Sequence, residues 1–88
     1  MMGREHGVGI RVRFFASLAE SLRRREAVVE FRENLTVEQL WVEVTGQQQI
    51  PPRVLCAVNM EYSEPEQSLR DGDEVAYFPP VTGGGHGG

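Results

Sequence analysis

The residues with the most obvious chemistry lie at the end of the chain. Positions 83–88 read GGGHGG, directly after FPPVT. Glycine has no Cβ, so such a segment can thread a channel too narrow for other residues. It also loses much entropy when fixed. At about 1–2 kcal/mol per residue, ordering these six residues costs on the order of 6–12 kcal/mol. A partner that accepts the segment must therefore also grip the folded body before it. The group on offer is the terminal carboxylate, which is anionic at neutral pH because its reference pKa lies near 3.5. An oxyanion discourages nucleophiles and is a poor leaving group. Adenylation supplies a better one, and a sulfur nucleophile can then displace it to leave a terminal thiocarboxylate that delivers sulfur inside another enzyme's pocket. A frayed end without a role is the alternative. The chain itself does not read as an ATP binder, because GGGHGG lacks the Lys-Ser/Thr ending of a phosphate-binding loop and precedes no helix.

Other reactive side chains carry less. Cys56, within RVLCAVN, reads as a buried structural thiol, and no histidine near it in sequence offers an activating base. A single cysteine excludes an intrachain disulfide, a cysteine-rich metal cage and a conventional iron–sulfur cluster, and fits a reducing, cytoplasmic setting. Asp71 and Asp73 flank Gly72 and read as turn formers, since no calcium-loop spacing follows them. His86 reads as a solvated spacer, with contact to a partner's active site as the alternative, and His6 as incidental. No metal site is expected. All nine basic residues are arginine and none is lysine. Arginine-rich coding accounts for that without function. The chemical alternative is that a protein carrying an activated carboxyl group benefits from lacking exposed amines of its own.

The elements that must position the tail follow from periodicity. Val8, Ile10, Val12 and Phe14 alternate with Gly9, Arg11 and Arg13, which predicts a strand over 8–15 with one buried face. Phe15 breaks the polar face, so either the chain turns there or a ring stays on the surface. Residues 16–25 read as a short helix with capping-box spacing at Ser17 and Glu20 and an apolar pair at Leu18 and Leu22. A second strand is expected over 27–31, returning beside the first. The strongest local signal is LTVEQLWVEVTG: Thr36 and Gln39 have capping-box spacing, and Leu35 and Leu40 can staple the entry. Val37, Leu40, Trp41 and Val44 form one apolar stripe, and Gly46 suits a left-handed terminus. Strands are expected over 53–59 and 74–78, with a polar, irregular stretch between them and a turn at Asp71 and Gly72. Pro79 and Pro80 lack ladder donors and stop the last strand. The first and last strands are expected to pair near the sheet centre, which places the tail beside the core.

Composition narrows the function. At 88 residues with 40% hydrophobic content, the chain suits one small domain. The boundaries expected are a disordered extension over 1–7, a folded domain over 8–80 and a flexible glycine-rich tail over 81–88. A formal charge of −4 gives no general attraction to nucleic acid. The basic run at Arg23, Arg24 and Arg25 lacks interleaved aromatics and reads as a favourable helix end. No apolar run approaches the roughly 20 residues of a membrane helix, and MMGREHG does not resemble a secretory signal. Neither nucleic acid nor membrane is an expected partner.

Three segments, RVRFFASLAE near the start, CAVNMEY at 56–62 and LRDGDEVAYFPPVTGG at 69–84, carry a more specific signal. With the helix between them they resemble the small subunits of molybdopterin synthase, within the ubiquitin-like sulfur-carrier family, over nearly all of residues 8–84. The resemblance implies an α+β, ubiquitin-like β-grasp fold in which a small mixed sheet packs on one main helix. It implies a non-catalytic carrier that binds no cofactor of its own. An E1-like enzyme uses ATP to adenylate the last glycine, which becomes a thiocarboxylate. The tail then enters the large catalytic subunit, in a heterotetramer, and gives sulfur to cyclic pyranopterin monophosphate to make molybdopterin. Phe78, Pro79, Pro80, Val81 and Gly83 match the segment leading into the tail and are the expected interface, with Phe15 added from the sheet surface. Core packing is the alternative for both phenylalanines.

The end departs from that pattern. Family tails stop at the pair matching Gly83 and Gly84, whereas this chain continues through Gly85, His86, Gly87 and Gly88. Four residues extend a chain by roughly 13 Å. Gly84 after trimming and Gly88 directly are thus both candidate working termini, and an inactive or differently used relative is the third possibility. Rival functions are a sulfur carrier for another pathway, a protein modifier acting on target lysines, and a noncatalytic interaction module.

Overall fold

The computed structural model describes residues 9–80. In chain order it contains β1 (Ile10–Phe14), α1 (Ala16–Leu22), β2 (Glu26–Val29), α2 (Val37–Thr45), β3 (Leu55–Val58), β4 (Glu61–Tyr62) and β5 (Glu74–Phe78). The five strands form one sheet in the order β2-β1-β5-β3-β4. β1 and β5 run parallel, and the other neighbours are antiparallel. This is the α+β, ubiquitin-like β-grasp arrangement, with the first and last strands paired at the centre, the topology expected, which periodicity alone does not establish.

α2 forms for local reasons that the sequence states. The Thr36 hydroxyl accepts the Gln39 N–H at 3.1 Å, and the Gln39 side chain accepts the Thr36 N–H at 3.3 Å, a complete capping box. Gly46 closes the helix at φ 77°, donating its N–H to the Val42 carbonyl. The helix then buries Val37, Leu40 and Trp41 against the alternate residues Ile10, Val12 and Phe14 of β1 and Val75 and Tyr77 of β5. Leu35 is fully buried ahead of the cap, as the staple requires. Trp41, Phe14 and Tyr77 form a three-ring centre: Trp41 meets Tyr77 edge-on with centroids 5.0 Å apart, and Phe14 stacks on Tyr77 at 5.7 Å. The Tyr77 hydroxyl donates to the Val37 carbonyl at 2.6 Å, so the one polar atom of that ring is satisfied inside the core.

Several local expectations give way. α1 ends at Leu22, and its N-cap is Phe15, with no side-chain cap. Ser17 therefore lies inside the first turn, and the Ser17–Glu20 box does not form. Arg23 takes the left-handed position, φ 58°, and its N–H turns back to Ala19 and Glu20 carbonyls. β2 lies slightly earlier than expected, with Val29 on the core face and Phe31 only half-buried. The stretch expected to be wholly irregular contains β4. Val58 pairs with Glu61 across the two-residue turn Asn59 and Met60, both at positive φ, 50° and 72°. That is a type I′ geometry, for which asparagine is suited and methionine is not.

Candidate functional site

β5 carries the site because it carries the tail. Its residues alternate between faces: Val75 and Tyr77 are fully buried, while Glu74, Ala76 and Phe78 lie on the face away from α2. Phe78 ends the strand in a row with Leu55 of β3, its ladder partner. On the other side is Phe15, directly after β1, whose N–H donates to the Tyr77 carbonyl at 3.2 Å. The Phe15 and Phe78 rings meet edge-on, 6.5 Å apart at 79°. Tyr62 of β4 reaches Phe78 from the opposite side at 5.9 Å. Ala57 and Ala76 pair beneath, so small methyl groups form the floor between the rings. The result is an apolar, aromatic patch that solvent reaches: Phe15 is 42% exposed and Tyr62 74%.

Charge takes over along the same face. Arg13 pairs with Glu74 at 3.4 Å and sets its guanidinium 5.6 Å from the Phe15 ring centroid. A groove of about 630 Å³ opens beside Phe15 between the end of β1, α1 and the start of β2, with Arg23, Arg24 and Arg25 on its wall. Arg24 also donates to the Val44 carbonyl at 3.1 Å, tying that wall to the end of α2.

Of the residues named from sequence, Phe15, Phe78, Pro79 and Pro80 are brought to one place, the point at which the chain leaves the sheet. Neither phenylalanine belongs to the buried core cluster. Val81, Gly83, Gly84, His86 and Gly88 lie outside the described residues, as do His6 and the expected 1–7 extension. Tyr62 was not foreseen. Its signal was the Asn59–Met60 turn: residues flanking a two-residue hairpin are paired, which puts Tyr62 opposite Ala57 and on the same face as Phe78.

The other titratable candidates have structural roles. Cys56 is 5% exposed on the core face, and its thiol donates to the Ser63 carbonyl at 3.4 Å. Burial, reinforced by the negative charge of Glu64, pushes its pKa up, which suppresses the thiolate. Burial likewise raises Tyr77 far above the usual phenol value. Asp73 accepts the Arg70 N–H at 2.8 Å and the Asn59 side-chain amide at 2.9 Å, while Asp71 accepts the Gly9 N–H at 2.9 Å. Both acids thus hold the turn around Gly72, at φ 93°. Among the described residues there is no group of three or more His, Cys, Asp or Glu placed to hold a metal, and no helix is long and apolar enough to cross a membrane.

Residues 12–84 match the ThiS family. The molybdopterin synthase sulfur carrier subunit of Chlamydomonas reinhardtii is 33% identical over 81 residues, covering 85% of this chain and 98% of that one. The subunit of the same name from Escherichia coli is 56% identical over a shorter stretch of 32 residues, 36% of this chain and 40% of that one. Among solved structures, SAMP1 from Haloferax volcanii superposes with a TM-score of 0.70 at 25% identity, covering 85% of this chain and 98% of that one. The chain belongs to the ThiS family, and within it is a relative of the sulfur carrier subunits of molybdopterin synthase.

Proposed function

We propose that this protein is the sulfur-carrying small subunit of a molybdopterin synthase. The observation that supports this most is the placement of Phe78: the strand that ends in the tail sits at the sheet centre, and its last ring stands on a solvent-facing aromatic patch. A partner can hold the rigid patch while it draws in the tail, which offsets the entropy of ordering the glycines.

In this reading the terminal carboxylate attacks the α-phosphate of ATP within an E1-like enzyme and pyrophosphate leaves. Hydrosulfide from the sulfur donor then attacks the acyl carbon, AMP departs with the C–O electron pair, the sulfur gives up its proton, and the thiocarboxylate remains. The large subunit supplies the pocket in which that sulfur passes to cyclic pyranopterin monophosphate, and the two subunits form a heterotetramer in the cytoplasm. Phe15, Phe78, Pro79, Pro80, Val81 and Gly83 form the docking segment, and Tyr62 adds to it. The acyl group sits on Gly88, or on Gly84 after trimming. The chain binds no cofactor itself, and ATP belongs to the activating enzyme.

The test is intact mass after incubation with an activating enzyme, ATP and a sulfur donor. The expected product is heavier by the difference between sulfur and oxygen, and fragmentation places it on Gly84 or Gly88. Absence of that shift with enzymes that convert a related carrier would end the proposal. The likeness to SAMP1, a small archaeal modifier protein, favours a second reading in which the activated terminus is joined to lysines of other proteins. Recovery of isopeptide-linked targets, with no sulfur delivery to a large subunit, would select that reading.

A further inference from the structure

An activated acyl group on a short tether is exposed first of all to the protein that carries it. Ten residues follow Phe78 through Gly88, a length of chain that spans at most about 33–36 Å. A group on Gly88 therefore stays within that distance of Phe78, and a short tether keeps such a group at an effective concentration on the order of mM. The groove beside Phe15 lies at the root of this tether, and its wall is net basic, with the exposed Arg13, Arg23, Arg24 and Arg25 outnumbering Glu20 and Glu26. A lysine there would present an amine. Guanidinium remains protonated and delocalised, so it supplies the charge without the nucleophile.

We propose that arginine at positions 13, 23, 24 and 25 determines the specificity of the terminal acyl group, giving the tail root a positive groove with no amine in it and so reserving the activated terminus for a nucleophile on another molecule. This rests on the carrier reading above. The rest of the chain is consistent with it: the sequence contains no lysine, and its one thiol, Cys56, is turned into the core and held on the Ser63 carbonyl. The excluded side reaction is explicit. An amine nitrogen attacks the terminal carbonyl carbon, the bond to AMP or sulfur breaks, the leaving group takes the electron pair, and the nitrogen gives a proton to solvent. The product is an internal lactam with its carrier function lost.

The experiment uses the full chain with a preformed thioester on Gly88, made without an activating enzyme. Arg23→Lys and Arg25→Lys are compared with the unaltered chain and with Arg70→Lys, which lies before β5 at the opposite end of that strand. In mildly alkaline buffer the unaltered thioester is expected to hydrolyse to free acid. The two groove variants are expected to lose it about tenfold faster or more. Their product should be lighter than the free acid by one water and linked through the new lysine, with Arg70→Lys slower than both. Fragmentation separates this product from closure onto the α-amino group. Groove variants that last as long as the unaltered chain would overturn the proposal, as would a thiolactone at Cys56 or an Arg70→Lys variant that closes as fast as the groove lysines. Thioester closure does not depend on enzymic thiocarboxylation, so failure of one test is distinct from failure of the other.

Discussion

Tyr77 and Phe78 are neighbours in β5 and have opposite fates. Tyr77 is fully buried, ringed by Trp41 and Phe14, and its hydroxyl is spent on the Val37 carbonyl. Phe78 points the other way, into a patch whose other rings, Phe15 and Tyr62, are open to solvent. One pleat therefore separates aromatic area that stabilises the fold from aromatic area left open to solvent. Deletions on the two faces should separate stability from binding.

The largest effect is expected on the core face. Trp41→Ala should cost about 3–5 kcal/mol, a large part of the 5–15 kcal/mol typical of a domain, and urea unfolding measures it. On the outer face, Phe78→Ala should weaken binding to the large subunit or activating enzyme by about 2 kcal/mol, roughly 30-fold. Its unfolding free energy should change much less than that of Trp41→Ala. Equal stability losses at the two positions would erase the distinction between the faces. The smallest effect is one of pH. Cys56 and Tyr77 both have raised pKa values in the folded state, so each favours folding while protonated in both states and loses that contribution as pH rises beyond its unfolded value. Stability should begin to fall past 9.0, the ordinary thiol value, and more steeply past 10.0, the ordinary phenol value. Cys56→Ala should remove the first part of the slope in alkaline urea titrations and leave the second.

How much was legible depended on how local the cause was. α2 could be read because Thr36, Gln39 and Gly46 decide its ends within a few residues. β5 could be read to its limits because a turn at Gly72 precedes it and Pro79 follows. The α1 cap failed because its spacing was right but the chain's path was not: the central pairing of β1 with β5 carries the extended backbone through Phe15, which leaves Ser17 two positions past the cap. β4 was hidden because a two-residue strand with both side chains exposed has no alternation to show. Its aromatic contribution to the site went with it. Phe15 and Phe78 were named as interface candidates beside the resemblance, and their direct contact is a consequence of parallel registry between strands far apart in sequence.

The position of β5 also has a mechanical consequence. The strand is hydrogen-bonded along both sides, to β1 and to β3. Tension applied at Pro80 runs along the strand axis, so both ladders are loaded in shear and many bonds share the force at once, whereas an edge strand would peel one bond at a time. A pull on the chain beyond Pro80 can thus be borne and released while the body stays folded.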